Sequence, residues 1–193
     1  MSETNTYTVS IYSENNIGLL NRISAIFQRR HISIESIVAS ESEIEDVFRF
    51  TIVVTLSEHG IQKIIGQIER QIEVIKAYYH TENETIHTES AIFKMKSDLL
   101  FEERQIQNII KDSNARIVTV NRSFFVIEKS GLRSEIEMVY RELKPFGIMQ
   151  FSRSGRIAVT KSEMPISKML SKFQTTYTED TAFASLSNEK TGA

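Results

Sequence analysis

Cysteine is absent from the 193-residue chain, which excludes disulfides, thiolate nucleophiles and cysteine zinc sites together. Stability must therefore come from packing alone. Two prolines and seven glycines are too few for collagen-like or low-complexity architecture. No apolar run approaches the ~20 residues that a membrane-spanning helix needs. The start, Met1-Ser2-Glu3-Thr4-Asn5-Thr6, lacks both the basic residues and the apolar stretch of a secretory signal, so a cytoplasmic protein is expected. An excess of one charge is also missing. Twenty-three Lys and Arg face 25 Asp and Glu, a net charge of −2, without the positive surplus that nucleic-acid binding usually requires. What remains is an ordinary globular composition, 40% hydrophobic and 25% charged, of a length that suits one or two domains.

From Thr6 onward the pattern switches between period 2 and period 3.6. Tyr7, Val9 and Ile11 alternate with Thr8, Ser10 and Tyr12, the signature of a half-buried strand. Leu19, Leu20, Ile23, Ile26 and Phe27 then recur at helical spacing, predicting a helix over residues 17–30. Ile32, Ile34 and Val38 predict a second strand. Residues 41–46 read as an acidic turn, and Phe48, Phe50, Ile52, Val54 and Leu56 as the strand that completes a hairpin. Ile61, Ile64, Ile65, Ile68 and Ile72 mark a second helix, and residues 74–79 a fourth strand. The order is βαββαβ.

The second half repeats that order. Ala91, Phe93 and Met95 form a strand pattern, Ile106, Ile109 and Ile110 a helix, and residues 117–120 and 124–127 a hairpin. Leu132, Ile136, Val139, Tyr140 and Leu143 define another helix, stopped by Pro145 and Gly147, and residues 157–159 close the unit. The expected fold class is α+β: two ferredoxin-like βαββαβ domains at residues 6–80 and 88–161, joined by a polar linker at 81–87. Each such sandwich leaves one sheet face without helices, so a homodimer or higher oligomer is expected. In the remaining segment, 162–193, Ile166, Met169, Leu170 and Phe173 predict a short helix followed by a flexible tail. Their spacing leaves open whether the helix packs on the second domain or docks on a partner.

The usual catalytic sets are missing. His31, His59, His80 and His87 include no metal-ligand pair, and no dinucleotide, phosphate-loop or Gly-x-Ser-x-Gly motif occurs. The acidic run Glu41, Glu43, Glu45 and Asp46 offers cation ligands, with a solvated turn as the plainer reading. RNA-recognition modules share the βαββαβ order, and Phe48 and Phe50 lie two apart on a strand, but the basic surround of such modules is lacking.

The segment between the first strand and first helix, Glu14-Asn15-Asn16-Ile17-Gly18-Leu19-Leu20-Asn21-Arg22, is the candidate site. Asn15 or Asn16 can cap the helix, and Gly18 leaves its first turn open to a carboxylate, which backbone N–H groups and the helix dipole would favour. A capped helix with an incidental glycine fits the residues equally.

Residues 7–79 resemble an ACT domain, the amino-acid-sensing βαββαβ module, and Asn15-x-x-Gly18-x-Leu20-x-Arg22 is similar to its ligand loop. Phe27-x-x-Arg30-x-Ile32-x-Ile34-Glu35-Ser36, the second βαββαβ unit and Arg153-Ser154-Gly155 extend the resemblance to the regulatory small subunits of acetolactate synthase. The resemblance implies a chain with no catalytic residues and no cofactor of its own. Its implied partner is a catalytic subunit that uses thiamine diphosphate, magnesium and FAD. Activation of that subunit and feedback inhibition by a branched-chain amino acid, usually valine, are implied as well. Carried over by position, Asn15, Ile17, Gly18, Leu19 and Leu20, with Ser33 and Ile34 from a facing protomer, would line the effector site. A stand-alone ACT sensor for another partner and a ferredoxin-like enzyme are the competing expectations.

Two departures from the family pattern stand out. The family commonly carries Gly-Tyr-Asn, or a close relative, where this chain has His31-Ile32-Ser33. Without the glycine, a left-handed helix terminus costs about 1 kcal/mol, and without the asparagine an amide that would hold the ligand is gone.

Overall fold

The alternation of Tyr7, Val9 and Ile11 produces an 11-residue strand, β1 (Thr4–Glu14), in the computed structural model, which describes residues 4–163 together with Ile166 and Leu170. It is followed by α1 (Leu19–Gln28), β2 (Ile34–Glu41), β3 (Val47–Ser57), α2 (Glu58–Ile68) and β4 (Val74–Thr81). The strands form an antiparallel sheet of order β2-β3-β1-β4. Its helix-side face and the two amphipathic helices enclose one core, in which Val9, Ile11, Ile23, Ile52, Val54, Ile61, Ile64 and Ile68 are fully buried. Each such side chain contributes roughly 1.5–3 kcal/mol over leaving it in water. Ile72 does not belong to that stripe. The helix stops at Ile68, and Ile72 is 89% exposed in the turn that Gln71 and Val74 close back onto Ile68 and Gln71.

The second unit runs β5 (Thr85–Lys96), α3 (Asp98–Glu102), α4 (Arg104–Asp112), β6 (Arg116–Val120), β7 (Phe124–Gly131), α5 (Arg133–Leu143), β8 (Gln150–Arg153) and β9 (Ile157–Thr160). Its sheet has the order β6-β7-β5-β8, with β9 also pairing to β5. A separate core of Ala91, Phe93, Met95, Ile106, Phe125, Ile127, Ile136, Val139 and Leu143 fills it. Two ferredoxin-like α+β sandwiches result, as the two sequence periods require. The fourth-strand position differs from expectation. It is shared by β8 and β9, because Ser154-Gly155-Arg156 interrupts the edge, where Ser154 donates its N–H to the Ser90 carbonyl and its hydroxyl accepts the Ser90 N–H.

The segment 81–87, expected as a polar linker, is structured. Thr81 ends β4, residues 82–84 make a 3₁₀ turn, and β5 begins at Thr85. Glu84 accepts hydrogen bonds from the Thr81 N–H and hydroxyl, both at 2.8 Å. That polar composition serves a capped turn rather than a free tether. The compact units divide at Thr85 and again at Thr160, so Ile166 and Leu170 belong with the first unit. The rest of the expected tail lies outside the described residues.

The open face of the first sheet is not bare. Leu170 is 1% exposed and packs with Tyr12 and Val47, and Ile166, Ile44, Ile75 and Tyr78 surround them. Ile166 and Leu170 therefore pack on the first unit, not on the second as one of the two expectations had it. No helix among the described residues is long and apolar enough to cross a membrane.

Candidate functional site

The loop that leaves β1 is built on a left-handed glycine. Gly18 is the N-cap of α1 at φ 89°, and a Cβ there would meet nothing within 4 Å. The glycine is thus required by backbone conformation and not by crowding. Neither Asn15 nor Asn16 caps the helix through its side chain. Asn16 instead supplies its carbonyl to the Leu19 N–H at 3.3 Å, and the Arg22 N–H reaches Gly18 O at 3.2 Å. The expected asparagine cap is replaced by a backbone turn, because the positive φ of Gly18 folds the chain one residue before the helix. Asn15, Asn16, Ile17 and Gly18 lie exposed, Ile17 almost completely, while Leu19 is buried in the core and Leu20 is about half exposed. The loop therefore presents an unobstructed helix start flanked by two aliphatic side chains, Ile17 and Leu20. Such a surface suits a small carboxylate with an apolar substituent.

The loop is tethered on its far side. The Glu14 N–H donates to Glu73 O at 2.9 Å, and Arg22 pairs with the Glu73 carboxylate. Asn15 also borders a cleft of about 190 Å3 whose other walls are Glu41, Ser42, Ile44, Glu45, Asp46, Val47 and Phe48. Beneath it, burial pushes the Tyr12 phenol above its ordinary range, an effect that the nearby Arg49 guanidinium opposes. Arg49 also lies 5.6 Å from the Tyr12 ring centre and bonds Ser10 Oγ at 3.3 Å.

Ser33 and Ile34 do not join this loop within one chain. Ile34 is level with Val54 of β3, which is level with Tyr7 of β1, whereas Glu14 is level with Val47. Seven residues of strand separate Tyr7 from Glu14, roughly 23 Å. Ser33 is exposed and Ile34 partly buried at the start of β2, an edge strand paired only with β3. The two halves of the expected site occupy opposite ends of the sheet.

His31 adopts φ 53°, the left-handed conformation expected at the end of α1. Its N–H reaches Gln28 O at 3.0 Å, and the Ile32 N–H reaches Phe27 O at 3.1 Å, so the helix closes in a Schellman motif despite the missing glycine. The turn leading to Ser33 keeps its shape, with the strain left in His31.

Other candidates fall elsewhere. Phe50 is 6% exposed and Phe48 packs against the same core, so these rings face the helices and offer no base-stacking platform. Among the described residues no three His, Asp or Glu side chains converge as a metal ion requires. Arg153 pairs with the buried Glu89 and with Glu137, each at 3.4 Å, so Arg153-Ser154-Gly155 fastens the broken edge of the second sheet. The contact of Ile166 and Leu170 with Tyr12 and Val47 was not foreseeable. Their i, i+4 spacing announces an apolar stripe but says nothing of which sheet receives it.

Comparisons with known proteins agree with this architecture. A family model described as the AHAS small subunit-like ACT domain matches residues 9–76, and one described as the small subunit of acetolactate synthase matches residues 88–162. The chain is 31% identical over 158 residues to the acetolactate synthase small subunit of Mycolicibacterium smegmatis, covering 82% of this chain and 92% of that one. It is 33% identical over 148 residues to that of Bacillus subtilis, covering 76% and 86%. The crystal structure of the acetolactate synthase small subunit from Thermotoga maritima superposes with a TM-score of 0.74 at 25% identity, covering 82% of this chain and 99% of that one.

Proposed function

The chain belongs to the acetolactate synthase small-subunit family, and from that premise we propose that it is the non-catalytic subunit that activates the catalytic subunit and makes it sensitive to a branched-chain amino acid, valine first. The observation that carries the reading is the open, glycine-capped helix start at Gly18 between Ile17 and Leu20. Helix N–H groups would take the amino-acid carboxylate and the two aliphatic side chains its isopropyl group. Ser33 and Ile34 sit a strand length away from that loop in the same chain. A second copy laid alongside in the opposite sense would bring its own pair to the loop, so the reading includes a homodimer. Thiamine diphosphate, magnesium and FAD belong to the catalytic partner, and this chain works without them.

The experiment adds the protein to the isolated catalytic subunit and follows acetolactate formation from pyruvate with and without valine, leucine or isoleucine. Activation is expected, with no pyruvate consumption by this chain alone; an unchanged rate at saturating protein would remove the assignment. Titration calorimetry then tests the site. Ser33→Asn restores an amide, and a hydrogen bond to a charged group contributes on the order of 1.5–3 kcal/mol, so affinity should rise roughly ten- to a hundredfold. Gly18→Asp, which sets an anion where the carboxylate would lie, should abolish binding.

A further inference from the structure

The last turns of α1 and α2, with the residues just beyond them, border an open cleft of about 410 Å3 lined by Ile26, Arg29, Arg30, Gln67 and Gln71. It lies at the end of α1 away from Gly18, about 15 Å along that 10-residue helix, so the Gly18 loop has no part in it.

Both guanidinium groups are fixed through a single nitrogen. Arg29 Nε donates to Ala25 O at 3.2 Å, and Arg30 Nε to Gln67 Oε1 at 3.1 Å. Gln71 Nε2 donates in turn to Gln67 O at 3.3 Å, so the turn after α2 is tied to the same frame. A guanidinium carries five N–H donors, and the Nη groups of both arginines keep theirs for a ligand. The nearby carboxylates are already taken, Glu69 by Lys76 and Glu73 by Arg22. Among the described residues neither Arg29 nor Arg30 meets a carboxylate. The dipole of α1 favours a cation at this end, and the bond from Arg29 to Ala25 O meets that need. Arg30 reaches across to the other helix instead.

Two uncompensated arginine forks beside one cleft match a doubly charged anion rich in acceptor oxygens, which is the chemistry of a phosphate group. A single carboxylate would leave one fork unmet. The volume is that of a small-ligand site, and the amides of Gln67 and Gln71 suit hydroxyl groups. No aromatic ring lines the cleft and Ile26 is its one apolar residue, so nothing there stacks a nucleobase. We infer that this cleft binds a small phosphomonoester with a hydroxylated body, a sugar phosphate, holding the phosphate between Arg29 and Arg30 and the hydroxyl groups against Gln67 and Gln71. The site is independent of the amino-acid reading of the Gly18 loop.

Titration calorimetry of the full chain with glucose 6-phosphate, glucose, inorganic phosphate and adenosine monophosphate tests this. The proteins are wild type, Arg29→Gln, Arg30→Gln and Arg122→Gln, the last an equal charge change at an exposed arginine of the second unit. Glucose 6-phosphate should bind wild type, about tenfold or more weakly to Arg29→Gln and Arg30→Gln, and within about twofold of wild type to Arg122→Gln. Glucose should give no binding heat, and inorganic phosphate should bind more weakly than the ester. Absence of glucose 6-phosphate binding by wild type overturns the site, and an equal loss in all three variants overturns it in favour of net charge alone. Glucose bound as tightly as its phosphate overturns the role of the arginines, and inorganic phosphate bound as tightly as the ester overturns that of the amides. Adenosine monophosphate bound more tightly than glucose 6-phosphate overturns the sugar-phosphate assignment. Should Arg30→Gln lose its circular-dichroism signal, Arg29→Gln, a change at an exposed side chain, decides.

Discussion

In the first sheet, the central residues of the face that points away from the helices, Thr8, Ser10, Tyr12, Thr51 and Val53, are buried to 9% exposure or less. In the second, the corresponding face of β5 carries Ser90, Ile92, Lys94 and Lys96, of which Ile92 is 48% exposed. Polar groups organise that face instead. Ser90 Oγ donates to Glu128 at 3.1 Å, Arg116 pairs with Glu128 and holds its carboxyl below the ordinary carboxylate range, and Lys94 lies 4.2 Å from the Phe124 ring centre. Strand order and helix placement are the same in both units. A βαββαβ pattern therefore dictates the helix-side core, while the other face is written independently, by the alternate residues of the central strands.

If the cores are separate, damage to one should leave the other intact. Phe93→Ala removes a fully buried ring at the centre of the second core and should cost that unit about 3–5 kcal/mol. Calorimetry should then show an early transition for the second unit beside an unmoved one for the first; a common shift would break the comparison. Next in size is Arg153→Ala, which strips the cation from buried Glu89 and should destabilise the second unit alone by roughly 2–3 kcal/mol in urea unfolding. The further change Glu89→Gln should recover part of that loss.

Backbone positions sharpen the contrast. Gly18→Ala finds open space but the wrong φ, and should cost the first unit about 1–2 kcal/mol. The helices α1 and α4 end in the same motif, with His31 at φ 53° in one unit and Asn114 at φ 52° in the other. Asparagine adopts this conformation more readily than histidine, so His31→Gly should stabilise its unit by roughly 0.5–1 kcal/mol while Asn114→Gly changes little. The smallest effect concerns Glu84, whose carboxyl the Thr81 hydrogen bonds hold below its ordinary range. A lowered pKa gives stability above the unfolded value that is lost as pH falls through the folded one. Wild type should thus unfold slightly above Glu84→Gln at pH 7, and the melting difference should vanish in acid.

The helix-side half of both sandwiches was legible because buried faces impose strict periods: Ile61, Ile64, Ile65 and Ile68 leave no other reading. β8 was missed because Gln150-Phe151-Ser152-Arg153 carries a single apolar residue, which packs under the sheet against Phe93 and Tyr140. At the candidate site, the family pattern points to the left-handed turn at His31, whereas the positive φ of Gly18 was not legible, because the helical period places that residue inside the first turn. The cap was not legible either: asparagine side chains and a backbone carbonyl compete for the same N–H groups, and loop geometry chose the carbonyl. Nor could the separation of Ser33 from the loop be read before the strand register was known.

The first unit is discontinuous in the chain, and this orders events on the ribosome. Its βαββαβ sandwich is complete once Thr81 has emerged, but Leu170, which closes over Tyr12 and Val47, is made only after the second unit. At about 5–20 residues per second, the nascent domain waits roughly 5–20 s with its second face uncovered, while the other unit is still being synthesised. For that interval the freshly folded sheet offers an apolar surface to chaperones and to sister chains on the same messenger, and translation itself, by delivering Leu170, ends the offer.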